Sequence, residues 1–110
     1  MTAQERDTSL GVYGISVTAE LVGTGVQNLR AYERQGLVTP DRTDGGTRRY
    51  SEDDVERLRR IANLLADGLN LAGVARVLEL EGANAELQDR IDALTDRGPH
   101  RRPRQKPETR

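Results

Sequence analysis

The sequence predicts a mainly α-helical fold, in which two short helices joined by a glycine turn precede a short β-hairpin and further helices. Apolar residues recur at helical spacing in several segments after residue 15. Gly23 and Gly25 flank Thr24, which is typical of a tight turn. Asp44-Gly45 separates two extended runs, which favours a hairpin. These observations outline a helix-turn-helix followed by a β-ribbon.

The composition limits the size of the core. The chain has 110 residues, 35% of them hydrophobic, and it contains neither Phe nor Trp. This is enough for one small domain, and a core built from Val, Leu, Ile and three Tyr is thin. A partner copy is therefore plausible before any motif is considered.

The residue types also exclude several kinds of chemistry. Without cysteine there are no disulfides, thiolate metal sites or Cys nucleophile, and the single His100 cannot build a metal cluster or a triad. Glu52, Asp53 and Asp54 resemble an acid cluster, but their place at a helix start explains them more simply. We therefore expect no enzyme, no cofactor and no metal. With no apolar run of about 20 residues and no signal peptide, we expect a cytoplasmic protein.

The first elements follow a polar, loose segment over 1–12 and a short extended lead-in at 13–15. The pattern predicts a helix over 17–22, with Ser16 capping its first turn. It predicts a second helix from Val26 to Gln35, which Gly36 ends. The helix-turn-helix thus covers about 15–35.

The next segment predicts a hairpin over about 38–50. Extended runs at 37–42 and 47–50 enclose the turn 43–46. Pro40 restricts the first strand to an edge position because it has no N–H to donate.

Helical signals dominate the rest. Ser51, followed by three acidic residues, predicts a helix start, and the apolar positions that follow are Val55, Leu58, Ile61, Ala62 and Leu65. Asp67-Gly68 ends this helix, and Asn70 caps another with the stripe Leu71, Val74, Val77 and Leu78. Gly82 is predicted to interrupt this helix, so we expect the domain that contains the helix-turn-helix and the hairpin to cover 13–82, and a separate last helix to cover 83–96. The tail, 97–110, is predicted to be disordered.

The outer face of the second helix carries the clearest binding pattern. Gln27, Arg30, Ala31 and Arg34 share one stripe, whereas Val26 and Leu29 face the other way. Amide and guanidinium groups can pair with adenine and guanine, and a small Ala permits close approach. Asn28 and Tyr32 flank the stripe within reach of phosphates. The alternative is an ordinary solvated helix face.

The hairpin ends in Arg48-Arg49-Tyr50. Adjacent strand residues point to opposite faces, so one arginine can reach a groove or a phosphate while the other lies along the protein. A hairpin directly after a helix-turn-helix is a wing. The alternative is an edge hairpin that its charges keep soluble.

The last predicted helix has a narrow apolar seam. Its members step by three and four residues and are Asn84, Leu87, Ile91 and Leu94. An isolated helix of this length is marginal in water, so we expect the seam to pair with a second copy. The alternative is a single helix that packs back on its own domain.

Charge is segregated along the chain. Residues 1–96 carry a net charge of −6 and residues 97–110 carry +5. The basic tail can add non-specific phosphate affinity, or it can simply be a solubilising end.

Three segments resemble the MerR family of regulators: 15–21 (ISVTAEL), 29–37 (LRAYERQGL) and 46–51 (GTRRYS). They are similar to the family's opening helix, its recognition helix and its wing. The resemblance covers about 13–95. It implies a winged helix-turn-helix that binds double-stranded DNA as a homodimer, with an antiparallel helix pair and an inverted-repeat operator.

Within that family, the chain resembles the heat-shock repressor subgroup HspR, through GLV at 36–38, RRYS at 48–51 and NLAG at 70–73. This implies repression of chaperone genes, with the chaperone DnaK as corepressor. The family pattern assigns DNA reading to Gln27, Asn28, Arg30 and Tyr32. It assigns wing and phosphate contacts to Arg48, Arg49 and Tyr50, and backbone contacts to Ser16 and Thr18.

The sequence thus predicts a sequence-specific transcriptional regulator and favours a repressor. One alternative is an architectural DNA-bending protein of the excisionase type, which shares the winged helix. Another is a protein-interaction module whose basic surface is incidental.

Overall fold

The computed structural model describes residues 7–95, and the predicted basic tail lies outside them. The described elements, in chain order, are α1 (Ile15–Val22), α2 (Val26–Arg34), β1 (Asp41–Arg42), β2 (Arg48–Arg49), α3 (Glu52–Ala66) and α4 (Leu71–Thr95). The chain divides within α4 into two compact units, one ending at Val74 and one beginning at Ala75. Each unit is described by itself. The fold class predicted from the sequence, mainly α with a short hairpin, is confirmed.

The start of α1 differs from the prediction. Gly14 is its N-cap and has no side chain to accept a backbone N–H, while the Thr18 hydroxyl donates to the Gly14 carbonyl over 2.8 Å. Ser16 lies one residue inside the helix and is exposed. The prediction that Ser16 caps α1 is wrong, because the helix begins two residues earlier than the apolar pattern indicated.

The ends of α1 and α2 follow the glycine signals. A three-residue turn, Gly23 to Gly25, separates the two helices. After α2, Gly36 adopts a left-handed φ of 77°, which an L side chain rarely tolerates. The Leu37 N–H donates to the Tyr32 carbonyl and the Gly36 N–H to that of Glu33, so the last carbonyls of α2 are satisfied.

The hairpin pairs β1 with β2 in antiparallel register, Asp41 opposite Arg49 and Arg42 opposite Arg48. β1 starts directly after Pro40, as its missing N–H requires. The predicted lead-in adds to this small sheet through a bridge between Tyr13 and Tyr50, whose N–H donates to the Tyr13 carbonyl over 2.7 Å.

Residues 7–12, predicted to be loose, are held against the hairpin and α3. The Val12 N–H donates to the Tyr50 carbonyl over 3.0 Å, and the Asp53 N–H donates to the Thr8 carbonyl over 3.1 Å. A Cβ on Gly11 would lie 2.6 Å from the Arg49 carbonyl oxygen, so the segment depends on glycine to approach this closely. The prediction missed these contacts because they join residues far apart in the chain.

The core of the first unit lies between the helices and the base of the hairpin. Its buried apolar side chains are Ala19, Leu29, Tyr32, Leu37, Val38, Tyr50, Val55, Leu58, Ile61, Leu64 and Val74. The predicted stripe of α3 is confirmed at Val55, Leu58 and Ile61. Ala62 and Leu65 are only half-buried, and Leu64 is buried in their place. α3 starts with a reciprocal capping box, in which Ser51 and Asp54 each accept the other's N–H over 2.9 Å.

α4 begins as predicted and continues further than predicted. The Asn70 side chain accepts the Gly73 N–H over 2.8 Å, which confirms the cap. The helix then runs without a break through Gly82 to Thr95, so the predicted interruption and the separate helix over 83–96 are wrong. One glycine costs a helix about 1 kcal/mol, and the helix-forming neighbours offset it. Among residues 7–95, no helix is both long and apolar enough to cross a bilayer.

The second unit exposes a row of large apolar side chains. Leu80, Leu87, Ile91 and Leu94 are 53%, 54%, 51% and 80% exposed. With Asn84 they step by four and three residues along a continuous helix, so the seam is longer than the sequence indicated. Leu80 was missed because the helix was predicted to stop at Gly82.

A single carboxylate joins the hairpin to α2. Glu33 pairs with Arg42 of β1 over 2.7 Å and with Arg48 of β2 over 2.5 Å. The hydrogen bond from Arg48 is the main cause that holds the pKa of Glu33 below its ordinary value, and the charges of Arg48 and Arg42 add to it. Partial burial of the carboxyl acts in the opposite direction and is outweighed.

We expect Ser51→Ala to lower the free energy of unfolding by about 1–2 kcal/mol, because the buried cap leaves the Asp54 N–H without an acceptor. Chemical denaturation checks this. The matched control is Ser16→Ala, which should stay within about 0.5 kcal/mol of the wild type because Ser16 caps nothing. Equal losses for both variants would contradict the assignment of the caps.

We expect the stability that Glu33 provides to depend on pH. A carboxyl whose pKa is lowered by folding stabilises the native state above its ordinary pKa of 4.5, and this stabilisation fades as the pH falls below that value. Glu33→Gln should therefore be less stable than the wild type by about 0.5–1 kcal/mol at pH 7, and the gap should narrow in acid. Denaturation at several pH values measures it. A difference in the free energy of unfolding between the two proteins that does not change with pH would contradict a stabilising role for the ion pairs of Glu33.

Candidate nucleic-acid interface

The outward face of α2 presents the polar side chains that the sequence predicted. Gln27, Asn28, Arg30 and Arg34 are exposed, and Ala31 between them is half-buried. On the opposite side, Leu29 is fully buried. The helix therefore has one face anchored in the core and another that offers amide and guanidinium groups to solvent.

The turn before α2 steadies one of these groups. The Asn28 side-chain amide donates to the Thr24 hydroxyl over 2.8 Å. This leaves its carbonyl oxygen and its second N–H for another partner. Because α2 starts directly after the turn, Asn28 and Gln27 lie in its first turn, at the end where backbone N–H groups attract anions.

Three of the predicted DNA-contacting side chains lie in the interior. Thr18 and Tyr50 have no exposed surface and Tyr32 is 6% exposed. The Thr18 hydroxyl donates to the Gly14 carbonyl, and the two tyrosines belong to the buried core. In this structure these three side chains lie in the core below the exposed face of α2. The DNA contacts predicted for them remain predictions. Ser16, by contrast, is exposed on α1.

Arg48 and Arg49 of the wing have different neighbours. Arg48 is half-buried against Glu33, and the hydrogen bond to that carboxylate raises the pKa of Arg48 above its ordinary value. Arg49 lies on the other side of the strand, where its guanidinium reaches Gly14: a Cβ at that position would lie 3.5 Å from its terminal nitrogen, an ordinary van der Waals contact. As predicted, the two adjacent arginines take different environments.

Arg42 is a further basic residue of the hairpin that the sequence reasoning missed. Its guanidinium donates to Glu33 and also to the Gly46 carbonyl over 3.0 Å, so it joins α2, β1 and the wing turn. The predicted four-residue turn at 43–46 pairs residue 42 with residue 47, whereas the structure pairs Arg42 with Arg48. A shift of one residue moves a side chain to the other face of the ribbon, so no signal for this contact was present in the sequence.

The Tyr50 phenol is buried beside this ion-pair network. Its hydroxyl has no hydrogen-bond partner among residues 7–95. Burial is the main cause that raises the pKa of Tyr50, and the nearby Glu33 carboxylate adds to it. The phenol therefore stays neutral, and the charged groups that act on it are Glu33, Asp54, Arg48 and Arg42.

The acidic residues at the start of α3 serve the fold. The Asp54 carboxylate accepts the Ser51 N–H, as part of the capping box. Within residues 7–95, no three His, Cys, Asp or Glu side chains are placed so that they could hold a metal ion. The chemistry of the site is that of hydrogen bonding and charge: a helix face with amide and guanidinium donors, beside a hairpin that carries three arginines.

Comparison with known proteins identifies this arrangement. The family model described as MerR HTH family regulatory protein matches residues 13–81. The chain is 56% identical over 84 residues to the heat shock protein HspR of Streptomyces coelicolor, covering 76% of this chain and 56% of that protein. It is 43% identical over 65 residues to the transcriptional regulator TnrA of Bacillus subtilis, covering 59% of each. The chain thus spans little more than half the length of these relatives.

A solved structure shares the fold. HiNmlR, a MerR family regulator that lacks the sensor domain and was crystallised bound to promoter DNA, superposes with a TM-score of 0.62. The sequence identity is 25%, over 74% of this chain and 64% of that one. The helix-turn-helix with its hairpin wing is therefore the MerR type, as predicted, and the chain belongs to the MerR family of helix-turn-helix regulatory proteins.

Proposed function

We propose that this protein is a sequence-specific DNA-binding transcriptional regulator that represses heat-shock genes. It acts as a homodimer on an inverted-repeat operator, with α2 in the major groove and the hairpin as a wing beside it. In the HiNmlR structure, a relative with the same fold is bound to promoter DNA, which supports this class of ligand.

The observation that carries the proposal is the exposed polar face of α2. Three long side chains, Gln27, Arg30 and Arg34, project from a helix whose other side is anchored by Leu29. Amides pair with adenine and guanidinium groups with guanine, each worth about 1–3 kcal/mol of discrimination. Ser16, Asn28, Arg48 and Arg49 are the proposed phosphate and wing contacts.

The exposed row on α4 supports the dimer. Leu87, Ile91 and Leu94 are each at least half exposed, and a helix surface of this kind is stable when a second helix covers it. Asn84 on the same seam would fix the register of the pair. A twofold dimer places two recognition helices on symmetric half-sites, which is why the operator should be an inverted repeat.

The regulated genes are proposed from similarity. The relative from Streptomyces coelicolor is named as the heat shock protein HspR, and it matches 76% of this chain. The resemblance to that subgroup extends the proposal to DnaK as corepressor. Adding purified DnaK to the binding assay described next should strengthen operator binding, and no effect would remove DnaK from the proposal.

Genome-wide selection of duplexes by the purified full chain tests the function. Inverted repeats that overlap promoters of chaperone genes are the expected result. Sites that lie at phage attachment sequences would instead indicate an excisionase-like bending protein. A folded chain that selects no duplex at all in physiological salt would overturn DNA binding and leave a protein-interaction role.

We expect Arg30→Ala to weaken binding to the selected duplex by about tenfold or more, with a smaller effect on a scrambled duplex, because Arg30 projects from the middle of the exposed face. Titrations by fluorescence anisotropy measure both. The matched control is Arg76→Ala, an exposed arginine of α4 paired with Glu79, which should leave the ratio unchanged. Equal losses on both duplexes would show that Arg30 does not read bases.

We expect Leu87→Asp to convert the dimer to a monomer, because it places a charge in the apolar seam. Sedimentation equilibrium measures the change. Ala85→Asp adds the same charge on the same helix outside the seam, and it should leave the dimer intact. A fully dimeric Leu87→Asp variant would show that another surface mediates assembly.

A further inference from the structure

We infer that Glu33 is a positioning residue for DNA binding, which holds the wing at a fixed place beside α2 and aims Arg48 at the DNA backbone. This inference rests on the proposed function and deepens it. It concerns a carboxylate that no part of the sequence pattern assigned to the interface.

Glu33 contacts both strands of the hairpin at once. One carboxylate oxygen accepts from Arg42 of β1 over 2.7 Å, and the other accepts from Arg48 of β2 over 2.5 Å. Because Glu33 belongs to α2, any rotation of the hairpin away from this helix breaks both ion pairs together. The hairpin is only two residues long on each side, so it depends on contacts outside the ribbon for its direction. The segment at Gly11 and Tyr13 holds it on one side, and Glu33 is its ion-pair partner on α2.

The two arginines do different work in this network. One terminal nitrogen of Arg42 donates to Glu33 and the other donates to the Gly46 carbonyl. Both terminal nitrogens of Arg42 are therefore used within the protein. The Arg48 side chain meets Glu33 through its Nε, and its terminal nitrogens make no hydrogen bond that is seen among residues 7–95, so they keep their donors. The side chain of Arg48 is 27% exposed, and that of Glu33 is 21% exposed. Arg42 thus links the wing to α2, whereas Arg48 is held in one orientation and its terminal N–H groups can donate to a phosphate.

The sign of the charge makes the inference testable. A carboxylate beside a DNA-binding face repels phosphates, so on charge alone its removal strengthens binding to every duplex. A positioning role predicts a different result, because removing Glu33 frees the wing and misaligns Arg48. In a variant without Glu33, specific binding, which needs the wing in a fixed position, should weaken. Non-specific binding, which depends on charge alone, should not weaken.

The experiment compares Glu33→Gln with Asp44→Asn in the full chain. Asp44 lies at the tip of the same hairpin, and its substitution removes the same charge without touching the network. The probes are the duplex recovered in the selection above and a scrambled duplex of equal length and composition. Thermal unfolding by circular dichroism sets a temperature at which all variants are folded.

We expect Glu33→Gln to lose about tenfold in affinity for the selected duplex and to keep or gain affinity for the scrambled one. Asp44→Asn should change both affinities by the same factor. A Glu33→Gln variant that discriminates between the duplexes as well as the wild type does would overturn the inference while leaving the proposed function standing. A wild-type chain that does not discriminate would overturn both.

A double-mutant cycle supplies a second readout. Arg48→Gln should weaken binding to the selected duplex in the wild-type background, and it should cost much less in the Glu33→Gln background, where Arg48 is no longer aimed. Phosphate-ethylation interference should show the same flanking phosphates lost in both single variants. Additive losses, or different phosphates, would overturn the link between Glu33 and Arg48.

Discussion

The anchoring of α2 by Leu29 and Tyr32 is the constraint on which the rest of the first unit depends. Both side chains are nearly or fully buried, in a core without Phe or Trp. A helix of nine residues that inserts these two side chains can turn only one other face to solvent. That face carries Gln27, Arg30 and Arg34, so the same packing that stabilises the domain also determines which groups a ligand meets.

Glu33 lies between these two faces of α2, next to Tyr32 in sequence, and it is the point at which the hairpin is attached. The N-terminal segment secures the other side of the hairpin through the bridge between Tyr13 and Tyr50 and the close approach at Gly11. A ribbon too short to be stable on its own is thereby held from two directions. The position of a wing relative to a recognition helix is then a property of the whole unit.

The second unit has the opposite character. Its described part, up to Thr95, is one stretch of helix whose large side chains, such as Leu87 and Leu94, are at least half exposed. Burying each of them on a partner contributes about 1–2 kcal/mol, and a thin core gains much from such a contribution. Pairing of two chains along this seam would explain both the exposed row and the twofold symmetry of the proposed operator.

The sequence by itself determined the features that depend on near neighbours: the Ser51 cap, the end of α2 at Gly36 and the two faces of α2, which follow from backbone chemistry over four or five residues. The predicted break at Gly82 was wrong, because the helix-forming neighbours outweigh the low helix propensity of one glycine. Only the tertiary structure decided the contact of Glu33 with both strands, the placing of residues 7–12 and the burial of Thr18. These join residues distant in the chain, and local periodicity carries no information about which distant group will satisfy a charge or fill a space.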